Sequence, residues 1–353
     1  MSLVSRLKKA GVKKRVSNHK NPIWKGPEES GITQSLLSKF LICRERFRLY
    51  VVEGLTTQDR FNHRMGYGDM WHLCEEHYAK GEDWQTPLRD FAKSLIQRFK
   101  QQQTEIVHWY EVCKTQFPIY VKHWKSYRLK NLKKTTHSEH VFNVKYKLPS
   151  SRIVTLRGKF DSVFKSPEGK YFLQENKTKG DIEESVIDRQ LRGDLQTMLY
   201  LVALREITKT VPSGILYNVV RRPLSGGKGS IRKHQPTKSN PAGESDAEFY
   251  GRLSTIIEEN KDYFFMRWES KVSGKDIELF EERSLIPILE TLCDWWEDLN
   301  KAASPFESHS HYVLPYGVSS PLIDGGFSDL DEYLMNGNET GLQRVKTIFP
   351  ELV

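Results

Sequence analysis

The sequence predicts an α/β fold: a mixed central β-sheet flanked by helices, with a helical insertion besides. Three observations lead there. Residues 139–178 contain three strand-like runs, the last two separated by the turn-forming Ser166-Pro167-Glu168-Gly169. Residues 183–206 follow with Ile187, Leu191, Leu195, Met198 and Val202 at helical spacing. The β-branched run GILYNVV at 214–220 then reads as a strand. A helix between strands implies a crossover onto a sheet that mixes parallel with antiparallel pairs.

The remaining elements fall around this core. Residues 1–30 form a basic lead-in punctuated by Gly and Pro, expected to be flexible and to touch nucleic acid. A first helix is expected from Thr33, its N-cap, to about Val52. It carries Leu36, Phe40, Cys43, Phe47 and Tyr50 along one buried face. The region 62–136 reads as helical, with the His72 helix over 62–79 and a long insertion from Pro87 to Lys134. The segment 139–222 is the core that carries the chemistry, and 223–243 reads as a mobile basic loop. Helices at 244–262 and 276–300, a short strand pair within 265–281 and a loop-like tail complete the chain. Residues 31–353 read as a single domain without internal repeats.

The chemistry concentrates on the two strands around the turn. The first delivers Asp161 and the second Glu175 and Lys177. Strand side chains alternate, so Glu175 and Lys177 share a face while Asn176 points away. A hairpin brings Asp161 beside Glu175. Two carboxylates with an ammonium make a hard-cation site with a cationic partner, the set that phosphodiester hydrolysis requires. A surface ion pair would use the same residue types. The apolar flanks, Val163-Phe164 and Tyr171-Phe172-Leu173, argue instead for half-buried strands in which ionised groups need a reason. His72, Glu75 and His77 are not a zinc motif, because His72 and His77 lie about 140° apart around a helix axis.

Taken in order, Gly68 and His72, Asp161, Glu175-Asn176-Lys177, and Gln196 to Tyr200 resemble the PD-(D/E)xK nuclease superfamily, and within it the RecB-like exonuclease branch. The resemblance runs from about Ser35 to Tyr200. It implies a restriction-endonuclease-like core with the helical insertion arching over the active site. Asp161 and Glu175 would hold Mg²⁺ or Mn²⁺, with the Asn176 backbone carbonyl and His72 as further ligands. Lys177 would position the attacking water, and Gln196 and Tyr200 would contact DNA or support Lys177. Phe160 stands where the family has Pro, which leaves the chemistry intact. Some relatives hold an iron–sulfur cluster. Cys43 occupies the place of its first ligand, but the C-terminal segment lacks the other three, so no cluster is expected.

Bulk properties point to the same partner. The net charge of +9 favours a polyanion. Lys122, Lys125 and Arg128 interleave with Trp124 and Tyr127, a pattern suited to gripping phosphates while stacking bases. Arg221 and Arg222 lead into the basic loop and are expected to contact DNA. No sequence-reading motif is evident, so phosphates rather than bases would position the nucleic acid. There is no apolar run of about 18 residues and no apolar stretch of a secretory signal near Met1, so no membrane is expected and the cytoplasm of a bacterial or phage-infected cell fits. The expected activity is metal-dependent exonucleolysis of DNA in recombination, repair or phage DNA processing, with a helicase or recombinase as a further partner. A flap or single-strand endonuclease, and an inactive nuclease-fold binding module, are the alternatives.

Overall fold

The computed structural model describes residues 22–57, 60–131, 135–166, 168–180, 182, 193–223, 231–301, 333, 340–345, 347–349 and 352. Side chains at 126–131 and 135–139 also lie outside the description. The expected helical turns bearing Ile187 and Leu191, and Lys228 of the basic loop, fall outside it as well.

In chain order the first elements are α1 (Gln34–Ile42), α2 (Arg44–Phe47), β1 (Leu55–Thr57), α3 (His63–Lys80), α4 (Gln85–Arg98) and α5 (Gln103–Asn131). The core follows as β2 (Thr135–Lys147), β3 (Ile153–Lys165), β4 (Tyr171–Lys179), α6 (Leu195–Thr208) and β5 (Gly214–Arg221). Then come α7 (Asp246–Glu259), α8 (Lys261–Phe264), β6 (Phe265–Lys271), α9 (Gly274–Phe280), α10 (Ile286–Lys301) and β7 (Leu342–Arg344). The chain divides into two compact units, one of residues 1–58, 145–156 and 286–353, the other of 59–144 and 157–285.

In the first unit Thr33 caps α1, its hydroxyl accepting the Leu36 N–H at 3.3 Å. The expected single helix to Val52 is broken. Cys43 adopts an extended conformation (φ −159°, ψ 114°), and α2 then runs on into a π-helical turn, Arg48–Val52. Packing explains the break. Residues seven apart on a continuous helix stand about 10 Å apart along its axis. Here the Phe40 and Phe47 rings lie 5.4 Å apart, and both meet Trp295 edge-on. The lead-in is not loose where it is described. Trp24 is fully buried, donates from Nε1 to the Gly31 carbonyl at 2.7 Å and packs on Phe47 and Trp296.

In the second unit helices α3, α5 and α7 share an aromatic core that includes Tyr67, Met70, Trp71, Phe117, Tyr120 and Phe249. The sheet has five strands in the order β2-β3-β4-β5-β6. It is mixed, as expected: β3 pairs antiparallel with β4, β4 parallel with β5, and β5 antiparallel with β6. The β3–β4 turn closes through Gly169, whose φ of +83° suits glycine. Asp194 caps α6 by accepting the Thr197 N–H at 2.8 Å. The expected strand pair within 265–281 is one strand, β6. A capping box of Ser273 and Asp276 turns the remainder into α9.

Candidate active site

Asp161 and Glu175 come together because the β3–β4 ladder stops just short of them. Its last pair is Ser162 with Gln174. Beyond it the Asp161 side chain takes over the backbone's role, and Oδ2 accepts the Asn176 N–H at 2.7 Å. The N–H and C=O of one strand residue point to the same side. The Asn176 carbonyl therefore faces the gap beside Asp161.

Glu175 is 0% exposed. Its Oε1 accepts from Lys177 Nζ at 2.5 Å and from Gln196 Nε2 at 2.6 Å. Gln196 Oε1 in turn accepts from Lys177 Nζ at 3.0 Å. The three side chains form a closed triangle, and α6 supplies the third corner from its first turn. Glu175 Oε2 is buried without a hydrogen-bond partner. Burial pushes the Glu175 carboxyl up to about 7, against the pull of Lys177. Burial opposes the Lys177 charge, but Glu175 and Asp161 outweigh it and hold the ammonium protonated. His72, at the middle of α3, presents Nδ1 3.6 Å from Asp161 Oδ1.

A second polar network lies beneath the first. The Asn176 side chain accepts from Gln174 Nε2 at 2.8 Å and from Asn218 Nδ2 at 2.9 Å. Arg267 Nε donates to Asn218 Oδ1 at 2.5 Å. These bonds fix the strand whose N–H holds Asp161. The sequence signal for Asn218 is the lone amide in the apolar run GILYNVV.

Other expected site residues sit differently. Tyr200 is buried, edge-on to Phe142 and Phe160, so it backs the Asp161 strand and does not face DNA. Lys122 and Lys125 are exposed on α5, while the Arg128 side chain lies outside the described residues. Arg267 covers one face of Trp124, its Cζ 4.0 Å from the ring centroid, so that face is not open for base stacking. Arg221 is buried, stacks on Tyr263 at 4.0 Å and donates to its carbonyl, which corrects its assignment to an open loop. Arg222 is buried too. The described part of the basic loop is tied down: Glu244 accepts the His234 N–H and pairs with Arg252, and Lys233 pairs with Asp246.

This arrangement agrees with a comparison at the level of the whole sequence. Residues 32–283, more than half of the chain, match the family model for the PD-(D/E)XK nuclease superfamily. The chain belongs to this superfamily. Its mixed sheet with flanking helices is the restriction-endonuclease-like fold. No curated protein matches the chain. A solved structure described as "Crystal structure of SSO0001" is similar over 77% of this chain and 95% of that one, with 11% identity and a TM-score of 0.25. A likeness that low supports no argument.

PD-(D/E)XK nucleases generally use divalent metals such as Mg²⁺. Among the described residues, no group of three or more His, Cys, Asp and Glu side chains is gathered so as to hold an ion. The donors beside the gap nonetheless fit one chemically. Glu175 Oε2 is a buried carboxyl oxygen with no hydrogen-bond partner, which a hard cation satisfies. Asp161 Oδ1 and the Asn176 carbonyl supply oxygens of the same kind.

Proposed function

We propose that this chain is a metal-dependent DNA exonuclease of the RecB-like branch. The observation that carries the reading is the Glu175–Lys177–Gln196 triangle with its orphaned Oε2 beside Asp161. Asp161, Glu175, the Asn176 carbonyl and His72 would hold Mg²⁺ or Mn²⁺. Bound there, such an ion polarises the scissile phosphate and lowers the pKa of a water.

The remaining work belongs to the chain itself. A lysine ammonium has three N–H donors. Glu175 and Gln196 take two of them, so the third is left to orient the attacking water or a phosphate oxygen. Lys177 stays protonated and so acts as an orienting donor, not as the base. Gln196 holds Lys177 and Glu175 at once, which fixes their separation as substrate enters. The Asn176–Asn218 network keeps Asp161 aligned through the Asn176 N–H. Exonuclease action, RecB-like ancestry and a role in recombination or repair rest on the order of the motifs, from His72 to Gln196.

End-labelled linear DNA compared with closed circular DNA tests the reading. Loss of linear DNA alone, in Mg²⁺ or Mn²⁺ but not in EDTA, is the expected result. Cutting of the circle would replace it with an endonuclease.

A further inference from the structure

Arg222 is a buried cation that the Glu175–Lys177 centre does not use. It follows β5 directly and is 8% exposed, yet its Nε is buried without a hydrogen-bond partner. Its own N–H is spent on the Lys179 carbonyl at 2.8 Å. Among the described residues no carboxylate acts on its guanidinium. The charged side chain that does is another cation, Arg64, in the first turn of α3. A largely buried arginine with an unpartnered Nε and a like charge acting on it is costly, and an anion from outside is the group that would satisfy it.

The corner that holds Arg222 is rigid. The Tyr67 hydroxyl donates to Gln116 Oε1 at 2.5 Å, and Gln116 Nε2 donates to the Arg221 carbonyl at 2.9 Å. Tyr67 and Gln116 are both 0% exposed. Two rulers place this corner relative to the triangle. Lys177 is in register with Val219, and Arg222 follows Val219 by three residues, about 10 Å along the strand and, by the odd offset, toward the sheet face of Val220 and Tyr67. Arg64 precedes His72 by eight residues, about 12 Å along α3. Gly68 lies between them, and a Cβ placed there would stand 3.5 Å from Thr178 Oγ1, so α3 runs close over β4.

We propose that Arg222, together with Arg64, is a seat for a phosphate group of the nucleic-acid strand, displaced from the Glu175–Lys177 centre toward the end of β5. It rests on the nuclease reading and adds a second grip to it. That phosphate is either internal to the strand or the one at its end. Arg222 is then a positioning residue that fixes where along the strand the cut falls.

The test uses the full chain in EDTA, where binding is separated from cleavage. DNA affinity is measured across salt concentrations for the wild type, Arg222→Met and Arg222→Lys. The expected result is a slope of log affinity against log salt that is shallower by about 0.9 for duplex in Arg222→Met and restored in Arg222→Lys. The melting temperature of free Arg222→Met should equal or exceed that of the wild type, because an unpaired buried charge has gone. Inorganic phosphate should raise the wild-type melting temperature and not that of Arg222→Met. Oligonucleotides with 5′-phosphate and 5′-hydroxyl ends separate the sources: a loss confined to the phosphorylated end assigns the seat to the terminus, and an equal loss assigns it to an internal phosphodiester. A lower melting temperature in Arg222→Met with an unchanged salt slope would overturn the seat while leaving the nuclease reading in place. Stabilisation by phosphate in a wild type that binds no DNA would overturn both the strand as ligand and the nuclease reading.

Discussion

Glu175 carries an unusual load for one residue. Its carboxyl is fully buried, takes two hydrogen bonds on one oxygen and has none on the other. Burial raises its pKa from the ordinary 4.5 to about 7. An acid with a raised folded-state pKa stabilises the fold fully below 4.5 and loses that contribution as pH rises through about 7. In EDTA the wild type should therefore lose stability relative to Glu175→Gln between pH 4.5 and 7.5, by up to about 3 kcal/mol, read from paired thermal melts. A difference that is flat with pH would count against the burial account. Asp161, Glu175 and Lys177 were legible in the sequence because strand alternation with apolar flanks singles them out. The burial of Arg221 and Arg222 was not legible, since two arginines before a Gly- and Ser-rich run resemble any solvated loop entrance. Only the end of β5, tucked beside Tyr263 and Tyr67, decides otherwise.

At the scale of elements, β3 and α6 are joined through a tight aromatic contact. A Cβ at Gly158 would stand 2.6 Å from Phe142 Cζ and 3.0 Å from Tyr200 Cε1. Phe142 and Tyr200 both pack on Phe160, the neighbour of Asp161. Gly158→Ala should cost about 1–3 kcal/mol in denaturant unfolding, and cleavage should fall with it as Asp161 shifts. Thr33→Ala should cost about 1 kcal/mol through loss of the α1 cap while leaving cleavage unchanged at temperatures well below melting. The Thr33 cap, the His72 helix and the order of the core strands all follow from local signals. The break at Cys43 does not, because the apolar stripe runs straight through it. It lets Phe40 and Phe47 both meet Trp295 edge-on, a residue some 250 positions later in the chain.

For the whole molecule, net charge is the property that bears on the partner. If the proposed nuclease reading holds, a net charge of +9 steers the chain to its polyanionic substrate, and DNA affinity should fall steeply between about 50 and 200 mM salt. Affinity that ignores salt would remove phosphate contact as the basis of binding. Among the described residues no helix is long and apolar enough to cross a membrane. The central claim is that Asp161 and Lys177 serve metal-dependent phosphodiester cleavage. The most direct test measures cleavage of linear DNA in Mg²⁺, Mn²⁺ and EDTA by the wild type, Asp161→Asn and Lys177→Ala, with melting curves to confirm that each is folded. Metal-dependent cleavage by the wild type, reduced at least about a hundredfold in both folded variants, is the predicted result. Full cleavage by either folded variant would contradict the assignment.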